Sequence, residues 1–531
     1  MRNHRRGAGL CVVWLGLALL HSAPAISQAA ITASTSEGGS AVVVPYYTVN
    51  DGWSTLINLT NTSRNSLAVK LRLLEARNGR DVLNFTVLLA PTDVWAGWLS
   101  ADAMGRPVVR TQDRSCTVPL QLRDDALTAD ELAYSTSLNQ LLPPGEPGRF
   151  TDHTATNGDP SRMSEGYIEI VTMGEAQRHG AEETIPWYAS PVAGEPRDCA
   201  RVETAFNNRT DSWEGGFSSI PGNAGSGDPV AREEGNYRAL QNAQPLRVNV
   251  SLVNKDGGFA AGIPSTHLAG WGLGQNLVTA AAYPWHLEPT LAAHEGLWST
   301  RGLGAVDEAL KAVEVGNEWT RNPPTGASSD WVLTFPTKRY QSDEHVANVA
   351  AGCSAWRHKG SRDGGPDAVA GEVFDGWPED DPDSPREVLS RFEVTGLREH
   401  LCPRLGHIPF QEDNDGRAEI YSVAYRILDR ETGRSAWIEP APGSAAIPPY
   451  AANVISIGSG TAESALRSAV PLFIDTGALG GGASKGWLRY RIAPEAGLIT
   501  RRAATGFVFK LRDFGDPSRN FSQATPHAYK R

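Results

Sequence analysis

Asp413, Asn414, Asp415 and Gly416, followed by Glu419, set side-chain oxygens close together beside a glycine that permits a tight turn. Calcium takes about six to eight oxygen ligands, so Asp413, Asp415 and Glu419 are the candidate metal residues. The same stretch serves equally well as an ordinary turn before a strand starting near Ile420. A denser acidic run, from Asp375 through Glu379, Asp380, Asp381 and Asp383, is stiffened by Pro378, Pro382 and Pro385 and lacks EF-hand spacing. It reads as a solvated loop. No cofactor other than calcium is expected.

The remaining reactive residue types do not converge. His286, His294, His345, His358, His400 and His407 are scattered, and His294-Glu295 lacks the second histidine of a zinc-protease motif. Ile457-Gly458-Ser459-Gly460 is glycine-rich without a phosphate-binding lysine. Glu318, beside Asn317, offers one carboxylate, whereas glycoside hydrolysis needs a pair at a set separation. No catalytic residue is assigned. Tryptophan is the unusual component, with 15 in the chain. Trp95, Trp98, Trp271 and Trp285 are candidate binding residues, since an indole can stack on a sugar ring or anchor an interface. Core packing is the plainer use of any one of them.

The elements around these residues read as β-strands. Residues 41–49 are strand-like, and Asn50-Asp51-Gly52 supplies hairpin chemistry before a return over 53–59. Val69, Leu71 and Leu73 alternate with Lys70 and Arg72, which predicts one face on a core and one in water. Asn78-Gly79 announces another hairpin into 82–89, and 166–171 and 246–253 read as further strands. A short helix is expected within 124–138. Another is expected where Val306, Leu310 and Val313 recur at helical spacing, ending at Asn322-Pro323-Pro324. Strands follow at 331–335, 418–428, 487–492 and 507–511. With 54 glycines, 35 prolines and few long helical runs, the chain is expected to be mainly β. Its expected form is two antiparallel sandwich-like domains with long loops, over 30–260 and 331–531, joined by a mixed region at 261–330.

Residues 1–29 carry Arg2, Arg5 and Arg6, then an apolar run, then small-residue sites at Ala23-Pro24-Ala25 and Ser27-Gln28-Ala29. That order is expected of a cleavable export signal, and the run stops short of the roughly 20 residues that span a bilayer. No integral membrane segment is expected elsewhere. Removing residues 1–29 takes away Cys11 and leaves Cys116, Cys199, Cys353 and Cys402, an even set that favours two disulfides outside the cytoplasm. Neighbour pairing would join Cys116 to Cys199 and Cys353 to Cys402. Cleavage also removes three positive charges from a chain at −11, giving −14. Nucleic acid and anionic lipid both demand a basic surface, so neither is expected as a partner.

Together these features predict a secreted or cell-surface, non-catalytic structural or adhesive protein, with self-assembly or an extracellular protein or glycan as its partner. The strand at 41–49 is a candidate for adding to a neighbour's sheet edge. A carbohydrate-active enzyme or glycan-binding protein is the first alternative, and a calcium-stabilised binding module the second.

Overall fold

A computed structural model of the chain describes residues 30–77, 79, 81–129, 160–178, 180, 182–207, 236–278, 289–295, 302–338, 411–412, 418–419, 424–440, 444, 446–458, 463–480, 482–492 and 502–530. The expected export signal at 1–29 lies outside this set, as do Trp285, Cys353, Cys402, Asp413 and Asp415.

The fold is mainly β and sandwich-like, with antiparallel pairing in all but one ladder of the described strands. Strands rich in Val, Leu, Ile and Tyr build a seven-stranded sheet in the order Thr32–Ala33, Thr266–Ala269, Ala41–Thr48, Glu165–Ala176, Ser66–Glu75, Asp81–Leu89, Thr117–Val118. Facing it is a six-stranded sheet in the order Phe259–Ile263, Leu246–Asn254, Trp53–Asn61, Val94–Ala101, Pro107–Thr111, Ala126–Thr128. Val42, Val44, Leu71, Leu73, Phe85 and Ile170 from the first sheet meet Ile57, Leu59, Trp95, Leu99, Val248 and Leu252 from the second. These alternate side chains from two inner faces form one core.

Asn50-Asp51-Gly52 does not make a hairpin. Ala41–Thr48 and Trp53–Asn61 belong to different sheets, so the turn carries the chain across the sandwich. Thr48 N donates to Thr55 Oγ1 at 3.1 Å, and Thr55 Oγ1 donates to Thr48 O at 3.0 Å, fastening the corner. Both strands place apolar residues in the same core from opposite sides. Ala41–Thr48 is also no free edge. It is held on one side by Glu165–Ala176 and on the other by Thr266–Ala269, which overturns its expected role in strand addition.

The outer face of the seven-stranded sheet departs from expectation as well. Every residue of Ser66–Glu75 is buried, Lys70 and Arg72 included. Ala68, Leu74, Leu88, Tyr167 and Val171 on this face pack under Val202, Phe206, Trp271, Leu291, Val306 and Leu310. A layer of short helices and loops therefore covers the face that alternation alone assigns to water. The Cys116–Cys199 disulfide, with its Cα atoms 5.2 Å apart, ties the Cys199–Asn207 helix into this layer.

Of the helix expected within 124–138, residues 130–138 lie outside the described set; among the described residues a short helix spans Gln121–Asp124, and the chain then turns into the strand Ala126–Thr128. The helix carrying Val306 and Leu310 spans Gly302–Leu310 and ends before Val313. Between it and Pro323 lies an unexpected strand, Glu314–Asn322, at the centre of a third sheet. Its apolar signal is thin, because its inward positions hold Val315, Asn317 and Trp319.

That third sheet has ten strands. Its main path runs Ser435–Ile438, Ala424–Asp429, Lys485–Arg491, Glu314–Asn322, Ala327–Thr334, Ala452–Gly458, Leu472–Asp475. Thr505–Arg512 pairs with Ala327–Thr334 and carries Phe521–Pro526, while Ala528–Lys530 pairs with Glu314–Asn322. Its core gathers Trp319, Trp331, Leu333, Tyr425, Ile427, Leu488 and Tyr490.

The two sheet systems share packing. Val332, Val454, Phe507 and Phe509 join the core of the sandwich, and Phe509 meets Trp53 edge to face at 5.4 Å. Thr334 Oγ1 donates to Pro45 O at 2.6 Å, and Ala451 N and Ala452 N donate to Arg77 O and Ala76 O at 2.8 Å. Among the described residues no helix is long and apolar enough to cross a membrane.

Candidate functional site

On the ten-stranded sheet, Lys485–Arg491 and Ala424–Asp429 sit side by side. Their inward residues Tyr425, Ile427, Leu488 and Tyr490 fill the core, and Tyr425 and Tyr490 stack at 5.9 Å. A strand's period of two then turns Arg426, Leu428, Lys485, Trp487, Arg489 and Arg491 to the opposite face. Edge strand Ser435–Ile438 adds Trp437, directly opposite Arg426, which is itself opposite Arg489. Trp437 is 48% exposed and Trp487 39%, both unusual for so large an apolar group.

Contacts within the face hold these groups in place. The Arg491 guanidinium lies 5.1 Å from the Trp437 ring centroid, and Trp437 Nε1 donates to Glu439 Oε1 at 3.2 Å. The N–H edge of Trp487 reaches over Gly316, where an added Cβ would lie 3.4 Å from Nε1. A methyl at 316 would rest in contact with the indole, and a longer side chain would compete with it for that space. Arg489 makes only a long pair with Glu314, at 3.9 Å, and Arg426 Nη2 donates to Ser435 Oγ at 3.3 Å. Lys485 pairs with Glu431 at 2.9 Å, and Lys510 with Glu318. The outward positions of the two inner strands thus carry four cations and no acid.

The buried charges behave differently. Arg72 Nη1 pairs with Glu169 Oε2 at 2.7 Å, with both side chains fully buried, and Leu291 N donates to the same oxygen at 3.1 Å. Glu75 accepts from Arg77 N at 2.8 Å and faces Arg162 at 3.5 Å. Between the sheet systems, Glu165 accepts from Tyr46 Oη at 2.5 Å and from Ser468 Oγ and Ala469 N at 3.0 Å. Asp330 accepts from Ser456 Oγ and Ser464 Oγ at 2.7 Å and from Leu466 N at 2.9 Å. Burial raises both carboxyl pKa values, and the hydrogen bonds they accept pull the other way. Residues 464–469 therefore bridge an acid from each sheet system. Each of these groups is engaged by neighbours that orient it within the fold.

Trp95 is fully buried between the sandwich sheets, 5.7 Å from Phe85, and its ring passes within 2.4 Å of where a Gly97 Cβ would sit. Trp271 is buried under the seven-stranded sheet and donates to Leu291 O at 2.9 Å. Both rings pack as core, each with an apolar layer on both sides. Trp98 is half-buried on the outward face of the six-stranded sheet. Cys116 and Cys199 are bonded to each other as neighbour pairing predicts. Gln411–Glu412 and Ala418–Glu419 pair antiparallel around the candidate calcium residues, while the Glu419 side chain, like Asp413 and Asp415, lies outside the described set. Among the described residues, no three His, Cys, Asp or Glu side chains gather to hold a metal ion. Glu318 pairs with Lys510.

Sequence reasoning missed Trp437 and Trp487 as surface groups. It recognised 487–492 as a strand, but the cross-strand approach of Arg491 to Trp437 has no local signature. It also passed over Gly482-Ala483-Ser484-Lys485-Gly486, which has the spacing of a serine nucleophile elbow. That motif needs a strand-to-helix turn, whereas here it leads into the strand Lys485–Arg491, so the chemistry does not follow. No protein-family model matches the chain, and comparison with curated proteins and with solved structures gives no match.

Proposed function

We propose that this chain is an exported, non-catalytic adhesive protein that holds its partner on the outward face of the ten-stranded sheet. One observation carries the reading. Trp437 and Trp487 are exposed side by side with arginines, whereas Trp53, Trp95, Trp271, Trp319 and Trp331 are buried as core. Exposed indoles among cations suit recognition, since each ring offers apolar area with a polar handle. Export is supported by the charge, apolar run and small residues of 1–29, and by the Cys116–Cys199 bond, which an oxidising compartment favours.

The test is retention of the purified protein on a panel of immobilised extracellular polysaccharides and proteins. At least one surface should retain it, and Trp437→Ala with Trp487→Ala should abolish most of that retention without lowering the melting temperature. Retention indifferent to both substitutions would remove this face from the function. Release of cleaved product from a retained polymer would replace adhesion with catalysis.

A further inference from the structure

The residues of the outward face specify charge as well as shape. Arg426, Lys485, Arg489 and Arg491 project from two adjacent strands without an acid among them, on a chain whose net charge is −11. Trp487 stands between Lys485 and Arg489 on one strand, and Trp437 stands beside Arg426 on the edge strand. They stand two strands apart and two residues out of register, a separation of about 12 Å from ordinary sheet spacings. Arg426 and Arg489 continue the row that starts at Trp437, and Arg489 neighbours Trp487 along its own strand.

We propose that the occupant of this face is a carboxylate-bearing polysaccharide, an assignment that rests on the adhesive reading above. Sugar rings present apolar C–H faces that pack on indole, and guanidinium groups take carboxylates in two parallel hydrogen bonds. An extended uronate chain repeats both features, ring and carboxylate, and the face offers indoles and guanidinium groups within one chain's reach. A folded protein is the other occupant that a Trp- and Arg-rich face suits, and it is an outcome of the experiment below. Glu314, Glu318, Glu431 and Glu439 border the cations, so a bound polyanion must set its charges on Arg426 and Arg489 and away from this rim.

The decisive experiment measures affinity of the whole protein for polygalacturonate, alginate and hyaluronate. Methyl-esterified polygalacturonate serves as the ring without charge, and polyglutamate as the charge without ring. At least one uronate polymer should bind about tenfold more tightly than either control, and added salt should weaken it. Arg426→Ala with Arg489→Ala should cost about tenfold or more, and the paired lysine substitutions should fall between, since they keep charge and lose the planar fork. Should the alanine pair melt early, Trp487→Ala provides the second measurement and should show a similar loss.

Failure to bind any uronate polymer overturns the proposal, as does equal affinity for the methyl ester or for polyglutamate. If the protein ignores uronates yet holds another surface through Trp437 and Trp487, the adhesive reading stands and this assignment alone falls. If no surface holds it, both fall.

Discussion

The segments 69–74 and 487–492 carry nearly the same alternation, Val-Lys-Leu-Arg-Leu-Leu against Trp-Leu-Arg-Tyr-Arg-Ile, and meet opposite surroundings. In the first, Lys70 and Arg72 are fully buried beneath helices and loops. In the second, Arg489 keeps more than half of its side chain in solvent. Period-two alternation decides which side chains share a face of a strand. Whether that face meets water is decided by what the rest of the chain lays over it. A cation on a covered face must be paired, because removing it from water otherwise costs several kcal/mol. A cation on an open face is free to be used by a ligand.

Removing one arginine from each region should give the two extremes. Arg72→Met should destabilise the protein by about 3–5 kcal/mol, because it strands Glu169 in the interior. Arg489→Met should change stability by about 0.5 kcal/mol or less, because its partner is distant and Arg489 itself is exposed. Chemical denaturation of both variants measures the difference. Replacing Glu169 by Leu as well as Arg72 by Met should cost less than Arg72→Met alone, since no unpaired charge then remains. A well-tolerated Arg72→Met would mean that the pair does not behave as a buried one.

Tryptophan gives the same contrast. Trp95→Ala should cost about 3–5 kcal/mol by leaving a cavity between the sandwich sheets. Trp487→Ala should cost about 1 kcal/mol or less, with its effect appearing in retention on a ligand surface. Gly97→Ala probes the buried ring from the other side. Its new methyl would collide with Trp95, and overpacking of this kind costs about 1–3 kcal/mol. Melting curves for the three variants should rank them in that order of region, with both sandwich substitutions below Trp487→Ala.

Much of the fold was legible in the sequence because strand patterning is local. The strands at 41–49, 246–253, 487–492 and 507–511 follow from residues two apart, and the Cys116–Cys199 pairing follows from proximity along the chain. The sheet to which each strand belongs is not local. Asn50-Asp51-Gly52 has hairpin composition, yet the cores of Ala41–Thr48 and Trp53–Asn61 face each other across the sandwich, so the turn becomes an arch. Glu314–Asn322 escaped notice because an inward asparagine breaks its pattern. Asn317 is tolerated there because its amide donates to Thr525 O, Pro526 O and His527 Nδ1, at 3.0–3.2 Å. The candidate site was least legible, since it depends on the register of three strands drawn from 424–491.

His527 extends the comparison to acidity. The outward face of the ten-stranded sheet is built on arginines and lysines, which stay charged across the acid range, whereas its inner side buries a histidine. His527 sits 4.5 Å from Trp331, and its Nε2 is bonded to Val332 O at 2.8 Å. Burial pulls its pKa from the usual 6.5 down to about 3. The folded state therefore holds it neutral, while an unfolded chain binds a proton below pH 6.5. Stability from this group is complete above 6.5 and is lost as pH falls from there toward 3. Between pH 8 and pH 5 the loss should be about 2 kcal/mol. Glu165 and Asp330 act in the opposite sense. Their raised values contribute stability at low pH that is lost as pH rises, so the raw profile mixes both. The difference between the native protein and His527→Gln isolates the histidine. Denaturation at pH 8 and pH 5 should show the variant less pH-sensitive by about that 2 kcal/mol, and an unchanged slope would place the acid sensitivity in other groups.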